Sequence, residues 1–94
     1  MFIILLKFAD KAKAPSLMAG HNTWLQRGFE EGLLLLAGTV KPAAGGALIA
    51  HGATREAIEA FVAHDPFVAE GVVTAEILDI TPARTDTRLA FLKD

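Results

Sequence analysis

His21 and Asp65 are the residues of this sequence best suited to acid–base chemistry. His21 lies on the apolar stripe of a predicted helix, one turn before Trp24, the single tryptophan. An imidazole there is either a core residue bonded to a carbonyl or carboxylate, or the working group of a pocket. Asp65 precedes Pro66 at the break after a second helix, a pair typical of an N-cap and first helical residue. Because a carboxylate has two oxygens, one could cap the helix while the other orients His21.

A carboxylate bonded to one imidazole nitrogen fixes the tautomer and leaves the other nitrogen free as general acid or base near neutral pH. We expect Trp24, Thr39 and Phe67 to line such a pocket and bind a substrate, although Trp24 could equally be plain core. The other histidines are weaker candidates. His51 follows a strand as a loop residue, and His64 ends a helix, where a cation suits the dipole.

Several other kinds of chemistry lack the residues they need. There is no cysteine, and Ser16, the only serine, has no nucleophile-elbow context. No phosphate-binding loop, dinucleotide fingerprint or histidine pair at helical ligand spacing is present, so neither a cofactor nor a metal is expected. The net charge is −2 with scattered basic residues, which argues against nucleic acid as a partner. The candidate partner of the site is a small molecule.

The elements that position these residues follow the order β-α-β-β-α-β. The strands, apolar and bounded by turn residues, are predicted at 2–8, 33–37, 47–51 and 72–80. The helices are predicted from 17 to 31, ending at Gly32, and from Thr54 to the Asp65–Pro66 break. Residues 39–46 are a turn-rich connection, 66–70 an extra helical turn, and 84–94 a C-terminal tail or short helix.

This order predicts a single α+β domain over residues 1–94 with the ferredoxin-like βαββαβ topology. Such a fold has a four-stranded antiparallel sheet with both helices on one face. Three of the predicted strands are nevertheless apolar on both faces. The open face therefore predicts a homodimer that packs sheet against sheet through an obligate interface. Lys7 and Asp10 interrupt the opening apolar run, so no membrane segment is expected and a soluble cytoplasmic protein is predicted.

The ordered set of these residues resembles the YCII-related (YciI-like) family over about residues 2–84. The resemblance starts at the N-terminal strand and continues through the segments His21…Trp24-Leu25, Glu31–Gly38, Gly45–Ala50, Asp65-Pro66-Phe67, Gly71-Val72 and Thr81-Pro82. The connection between the second and third strands has the shorter length of one branch. Thr39-Val40 stands where many members have Gly-Pro just after the second strand, so the shape of that pocket edge is not carried over from the family.

The resemblance implies a ferredoxin-like fold that dimerises face to face into an α+β barrel. It also implies a site in which a histidine pairs with an aspartate, here His21 and Asp65. The wider dimeric barrel group includes isomerases and small monooxygenases, so proton transfer on a small cyclic or aromatic substrate is the expected reaction class. The alternative is a non-catalytic domain that binds a small ligand or serves as an accessory subunit. Haem or flavin binding has no support beyond the fold.

Overall fold

The computed structural model describes residues 1–93, so Asp94, the last residue of the predicted tail, lies outside the described part. The main elements follow the predicted order, and the extra helical turn predicted at 66–70 is confirmed as a short helix after the second long one. They are β1 (Phe2–Phe8), α1 (Ala14–Glu30), β2 (Leu34–Val40), β3 (Gly45–Ala50), α2 (Arg55–Ala63), α3 (Pro66–Ala69) and β4 (Val73–Asp79). Short 3-10 helices occupy Lys11–Lys13 and Thr87–Lys93, and the second of these agrees with the short-helix alternative for residues 84–94.

The four strands form one antiparallel sheet in the order β2-β3-β1-β4. This is the ferredoxin-like α+β arrangement, as predicted. Because strand side chains alternate, β1 turns Phe2, Ile4 and Leu6 towards the helices, where they are buried. Ile3 and Leu5 lie on the opposite face, where Leu89 and Leu92 of the C-terminal 3-10 helix line a groove together with Leu36 and Ile49.

The β2–β3 hairpin is tighter than the sequence suggested. The predicted connection 39–46 is wrong at both ends, because Thr39 pairs with Gly46 and Val40 with Gly45, leaving only 41–44 as the turn. Gly45 must be glycine: a Cβ there would lie 1.8 Å from the carbonyl oxygen of Leu6 on β1. Its type was therefore a sign of close strand approach, and not of a turn.

A bulge at the start of β2 lets neighbouring leucines face opposite sides of the sheet. Leu34 pairs with Ala50 and Leu36 with Ile49, so Leu35 is the extra residue. Leu34 is buried beneath the helices, whereas Leu36 is 49% exposed on the open face. The run of leucines thus supplies the core and the open face in turn.

Helix α1 packs on the sheet through the predicted stripe, in which Trp24 and Gly28 are buried. Its C-terminus is followed by Gly32 at φ 74°, the left-handed residue that the sequence predicted. The α2 N-cap is also confirmed, because the Thr54 hydroxyl accepts a hydrogen bond from the Ala57 N–H at 3.1 Å. Within residues 1–93 no helix combines the length and hydrophobicity that crossing a membrane requires.

Substitution of Gly28 tests the close packing of α1. An alanine Cβ would lie 2.7 Å from Leu34 Cδ1 and 2.8 Å from Phe61 Cζ. We expect Gly28→Ala to destabilise the fold by about 1–2 kcal/mol, because overpacking outweighs the helix propensity of about 1 kcal/mol that alanine gains. Urea unfolding followed by circular dichroism measures this change. Gly38→Ala, with no atom within 4 Å of the added Cβ, is the matched control and should unfold no earlier; equal stability of the two variants would contradict the packing argument.

Candidate active site

The site forms where α1 passes the start of α3. Gly20 makes this close approach possible, because a Cβ at that position would lie 3.1 Å from Pro66 Cγ. Asp65, the residue before α3, is extended (φ −64°, ψ 122°), and Pro66 occupies the first turn. The predicted N-cap is therefore present. It brings Asp65 against His21, the residue of α1 that follows Gly20.

One oxygen of Asp65 holds the site together. Its Oδ1 accepts a hydrogen bond from His21 Nδ1 at 2.8 Å and another from the Phe67 N–H at 3.0 Å. The expectation that separate oxygens would serve the cap and the histidine is wrong, because the backbone donor and the imidazole converge on the same atom. Oδ2 is buried and has no hydrogen-bond partner within residues 1–93. The Asp65 side chain is 0% exposed, so the carboxylate is fully buried by the protein.

The shared oxygen also fixes the tautomer of the imidazole. A carboxylate can only accept hydrogen bonds, so the proton of this contact belongs to His21 Nδ1. Nε2 of the neutral ring is then an acceptor, and it has no hydrogen-bond partner in the described part of the chain. The imidazole is oriented by one nitrogen and available at the other.

The imidazole is also held by a column of stacked rings. The His21 ring lies parallel to Phe67, with centroids 4.0 Å apart and planes 5° apart. Its other neighbour is Trp24 at 5.8 Å, and Trp24 stacks in turn on Phe61 at 4.5 Å. The Trp24 Nε1–H donates to the Phe61 carbonyl oxygen at 2.9 Å. The column therefore joins α3, α1 and α2 and leaves the imidazole little freedom to turn.

A cavity of about 450 Å³ opens beside His21, between α1 and the helix-facing side of the sheet. Of the predicted pocket residues, Thr39 and Phe67 line this cavity together with His21. Trp24 is buried and does not line it, because its indole supports the imidazole from within the core. The remaining lining residues are Leu6, Phe8, Lys11, Met18, Asn22, Leu25, Ala37, Gly38, Ala43, Gly45, Gly46, Leu48 and Val73.

Sequence reasoning missed Lys11 and Asn22 as parts of this cavity. Both are polar residues of the lining, and neither was among the predicted pocket residues. Asn22 could have been predicted as a cavity residue from its position directly after His21 in the sequence. Nothing in the spacing distinguished Lys11 from Lys13 beside it. Met18 and Leu25, one turn on either side of His21, were predictable from the helical period.

The other two histidines take the roles of ordinary structural residues. His64 caps the end of α2, where its Nδ1 donates to the Ala60 carbonyl oxygen at 2.7 Å. His51 follows β3 and meets Phe91 edge to face at 5.2 Å. Residues 1–93 contain no group of three or more histidine, cysteine, aspartate or glutamate side chains that could hold a metal ion.

Two substitutions of Asp65 separate its charge from its hydrogen bonds. Asp65→Ala removes the cap and leaves His21 Nδ1–H and Phe67 N–H without an acceptor, so we expect a loss of about 2–4 kcal/mol in the free energy of unfolding. Asp65→Asn keeps an oxygen for both donors and should cost less than half as much. Chemical unfolding of the two variants measures the difference. If Asp65→Ala were as stable as wild type, the shared oxygen would not be holding this site.

Comparison with solved structures places the fold among known ones. One similar structure is 5-chloro-2-hydroxyhydroquinone dehydrochlorinase from Burkholderia phenoliruptrix AC1100, in complex with 2,5-dihydroxybenzoquinone. It superposes with a TM-score of 0.67 at 16% identity, covering 85% of this chain and 93% of that chain. At this identity the likeness concerns the fold. No curated protein sequence matches the chain.

Comparison with family profiles covers most of the sequence. The profile of the YCII-related domain matches residues 1–81, a span that runs from β1 through β4 and contains His21, Thr39, Asp65 and Phe67. The match agrees with the resemblance carried by the ordered motifs of the sequence. The chain therefore belongs to the YCII-related family.

Proposed function

We propose that this protein is a cofactor-independent acid–base enzyme that acts on a small cyclic or aromatic substrate. The observation that carries the proposal is the geometry of His21. Nδ1 is fixed by a buried carboxylate at 2.8 Å, while the same ring lines a cavity and has a free second nitrogen. A histidine held in this way is the usual form of a general base.

The proposed step is a proton transfer at a carbon next to a carbonyl group. Nε2 takes the proton, the C–H electron pair becomes an enolate, and the imidazole becomes an imidazolium. The buried charge of Asp65 stabilises that imidazolium because the two groups share a hydrogen bond and the carboxylate is 0% exposed. Return of the proton to a different atom of the conjugated system gives isomerisation. Loss of a leaving group from the neighbouring carbon, with the electron pair of the C–H bond forming the new double bond, gives elimination.

The surroundings of the cavity support a compact, largely apolar substrate. Phe67, which stacks on His21, and Leu25 offer apolar contact, and the Thr39 hydroxyl and Asn22 amide offer hydrogen bonds. A volume of about 450 Å³ fits a molecule of one ring with its substituents. Trp24, by supporting the imidazole from behind, acts as a positioning residue for the base.

The solved structure with the same fold is compatible with this proposal. Its printed name describes a dehydrochlorinase, and removal of hydrogen chloride combines proton abstraction with departure of chloride. One oriented base is enough to start such a step. The proposal for this chain is confined to the reaction class, because the likeness at 16% identity concerns the fold.

His21→Gln is the direct test of the base. Glutamine can still donate to Asp65 but cannot accept and release a proton, so we expect turnover to fall by about 10²–10⁴-fold. A suitable screen is ¹H NMR in D₂O of α-angelica lactone, which isomerises through its enolate, and of 2-hydroxy-1,4-benzoquinone, which exchanges ring hydrogen. His64→Gln is the matched control and should keep wild-type rates, because His64 does not line the cavity and bonds to the Ala60 carbonyl oxygen of its own helix.

A second variant, His21→Ala, separates the enzyme from the alternative, a non-catalytic ligand-binding or accessory domain. If His21 served only the fold, its replacement by alanine would leave a hole and orphan Asp65, at a cost of about 1–3 kcal/mol. An early melting temperature for His21→Ala, together with no turnover of either compound by wild type, would reject the enzyme and favour the accessory domain.

We also propose that the open face of the sheet forms a homodimer. A row of apolar side chains crosses all four strands on that face, because Leu36 pairs with Ile49, Ile49 with Ile3, and Ile3 with Leu78. Leu36 is 49% and Leu78 38% exposed. A groove of about 690 Å³ lies beside this row, bordered by Ile49 and the segment after β4. In a two-fold dimer, this face would pack against the same face of a second copy.

Leu36→Glu tests the dimer. A carboxylate buried in an apolar interface costs several kcal/mol, so we expect sedimentation velocity at micromolar concentration to give a dimer for wild type and a monomer for the variant. Phe29→Glu is the control, since Phe29 is also exposed but belongs to α1. A wild-type monomer at these concentrations would refute the proposed interface.

A further inference from the structure

The lining of the cavity beside His21 is unbalanced in charge. Among the lining residues of the described chain there is no carboxylate, and Lys11 is the only one with a permanent charge. Asp65 lies behind His21 and is 0% exposed, so its charge is turned to the imidazole. The other polar groups of the lining are neutral amide, hydroxyl and imidazole groups on Asn22, Thr39 and His21.

The ammonium group of Lys11 is held at the cavity by an aromatic ring. Its Nζ lies 5.1 Å from the centroid of Phe8, and both residues line the cavity. A cation over a ring face is attracted by the ring quadrupole, but its charge is not neutralised. No carboxylate within residues 1–93 forms an ion pair with Lys11.

The neighbouring charges are satisfied elsewhere. Asp10, the nearest acid in sequence, pairs with Lys13 at 3.9 Å. The ammonium of Lys13 also donates to the Glu70 carbonyl oxygen at 3.3 Å, away from the cavity lining. Of two lysines in one 3-10 helix, one has a protein partner and the other faces the cavity with its charge unpaired.

The backbone fixes this arrangement. The Asp10 N–H donates to the Val72 carbonyl oxygen at 3.0 Å, and the Ala9 N–H donates to the same oxygen at 2.8 Å. The Phe8 N–H donates to the Ala44 carbonyl oxygen at 3.2 Å. The connection from β1 into the 3-10 helix is therefore bonded to the β2–β3 turn and to the residue before β4. These bonds fix the backbone position from which the Lys11 side chain starts.

We infer that the cavity selects a small ring compound bearing an anionic oxygen, a carboxylate, phenolate or enolate, and that Lys11 recognises this charge. The inference rests on the proposed function, because it takes the cavity beside His21 as the substrate site. The apolar walls accept the ring, and the ammonium attracts the oxygen. A cationic ligand meets only repulsion at Lys11 and finds no carboxylate in the lining.

Binding of simple probes tests the charge preference without any turnover. Dissociation constants are measured by ¹H–¹⁵N NMR titration for two pairs of probes, benzoate with benzamide and 4-nitrophenolate with nitrobenzene, at pH 8. We expect at least one anion to bind wild type about tenfold more tightly than its neutral partner, which equals about 1.4 kcal/mol. The pair that shows the larger ratio distinguishes a carboxylate site from a phenolate site. Because Lys11 is exposed, the ratio should fall as sodium chloride is raised.

Matched variants assign the preference to Lys11. Lys11→Met keeps the length of the side chain over Phe8 and removes the charge, so the ratio should fall to within twofold of one. Lys11→Arg should retain the ratio, and Lys13→Met, in the same 3-10 helix, should leave it unchanged. Circular dichroism verifies that each variant is folded.

The outcomes separate this inference from the proposed function. Anion preference in wild type and in His21→Gln, without turnover of any tested compound, would keep the charge selectivity and remove the enzyme. Turnover by wild type together with ratios near one would keep the enzyme and overturn the role of Lys11. A preference that survives Lys11→Met, or the absence of any shift at cavity amides with all four probes, would also overturn it.

Discussion

The shared oxygen of Asp65 determines how α1, α2 and α3 meet. A carboxylate removed from water costs several kcal/mol unless hydrogen bonds compensate, and from residues 1–93 only Oδ1 receives them. The two bonds, each worth about 1.5–3 kcal/mol when the acceptor is charged, come from the backbone of α3 and from a side chain of α1. The fold thus tolerates a buried charge only while His21 stays in place. Stability and the orientation of the imidazole depend on the same atom.

Much of the fold follows from the sequence because its strongest signals are local. The apolar run of β1, the helical stripe of α1 with Gly32 at its end, and the Asp65–Pro66 helix start all lie where the residue types predicted them. The turn of the β2–β3 hairpin was predicted to be too long, because Gly45 and Gly46 are of a residue type common in turns. The role of Gly45, close passage beside Leu6, depends on a strand distant in sequence and leaves no local signal.

The candidate site was only partly predictable for the same reason. The pairing of His21 with Asp65, 44 residues apart, was proposed because the family pattern and the topology agreed. Periodicity does not encode side-chain torsion angles. These angles decide which oxygen of Asp65 binds His21, and they place Trp24 behind the imidazole instead of in the cavity. Lys11 lines the cavity because of the path that the backbone takes after β1, and the pattern of charges in the sequence does not predict that path.

The column of rings gives the protein an optical reporter at its candidate site. The chain has one tryptophan and no tyrosine, so excitation at long ultraviolet wavelength reaches a single indole. That indole lies 5.8 Å from the imidazole and is shielded from water by the core. A change of charge on the imidazole, or a displacement of its ring, alters the electric field at Trp24 directly. Emission from the unlabelled protein therefore follows events at His21 without competition from any other chromophore of its kind.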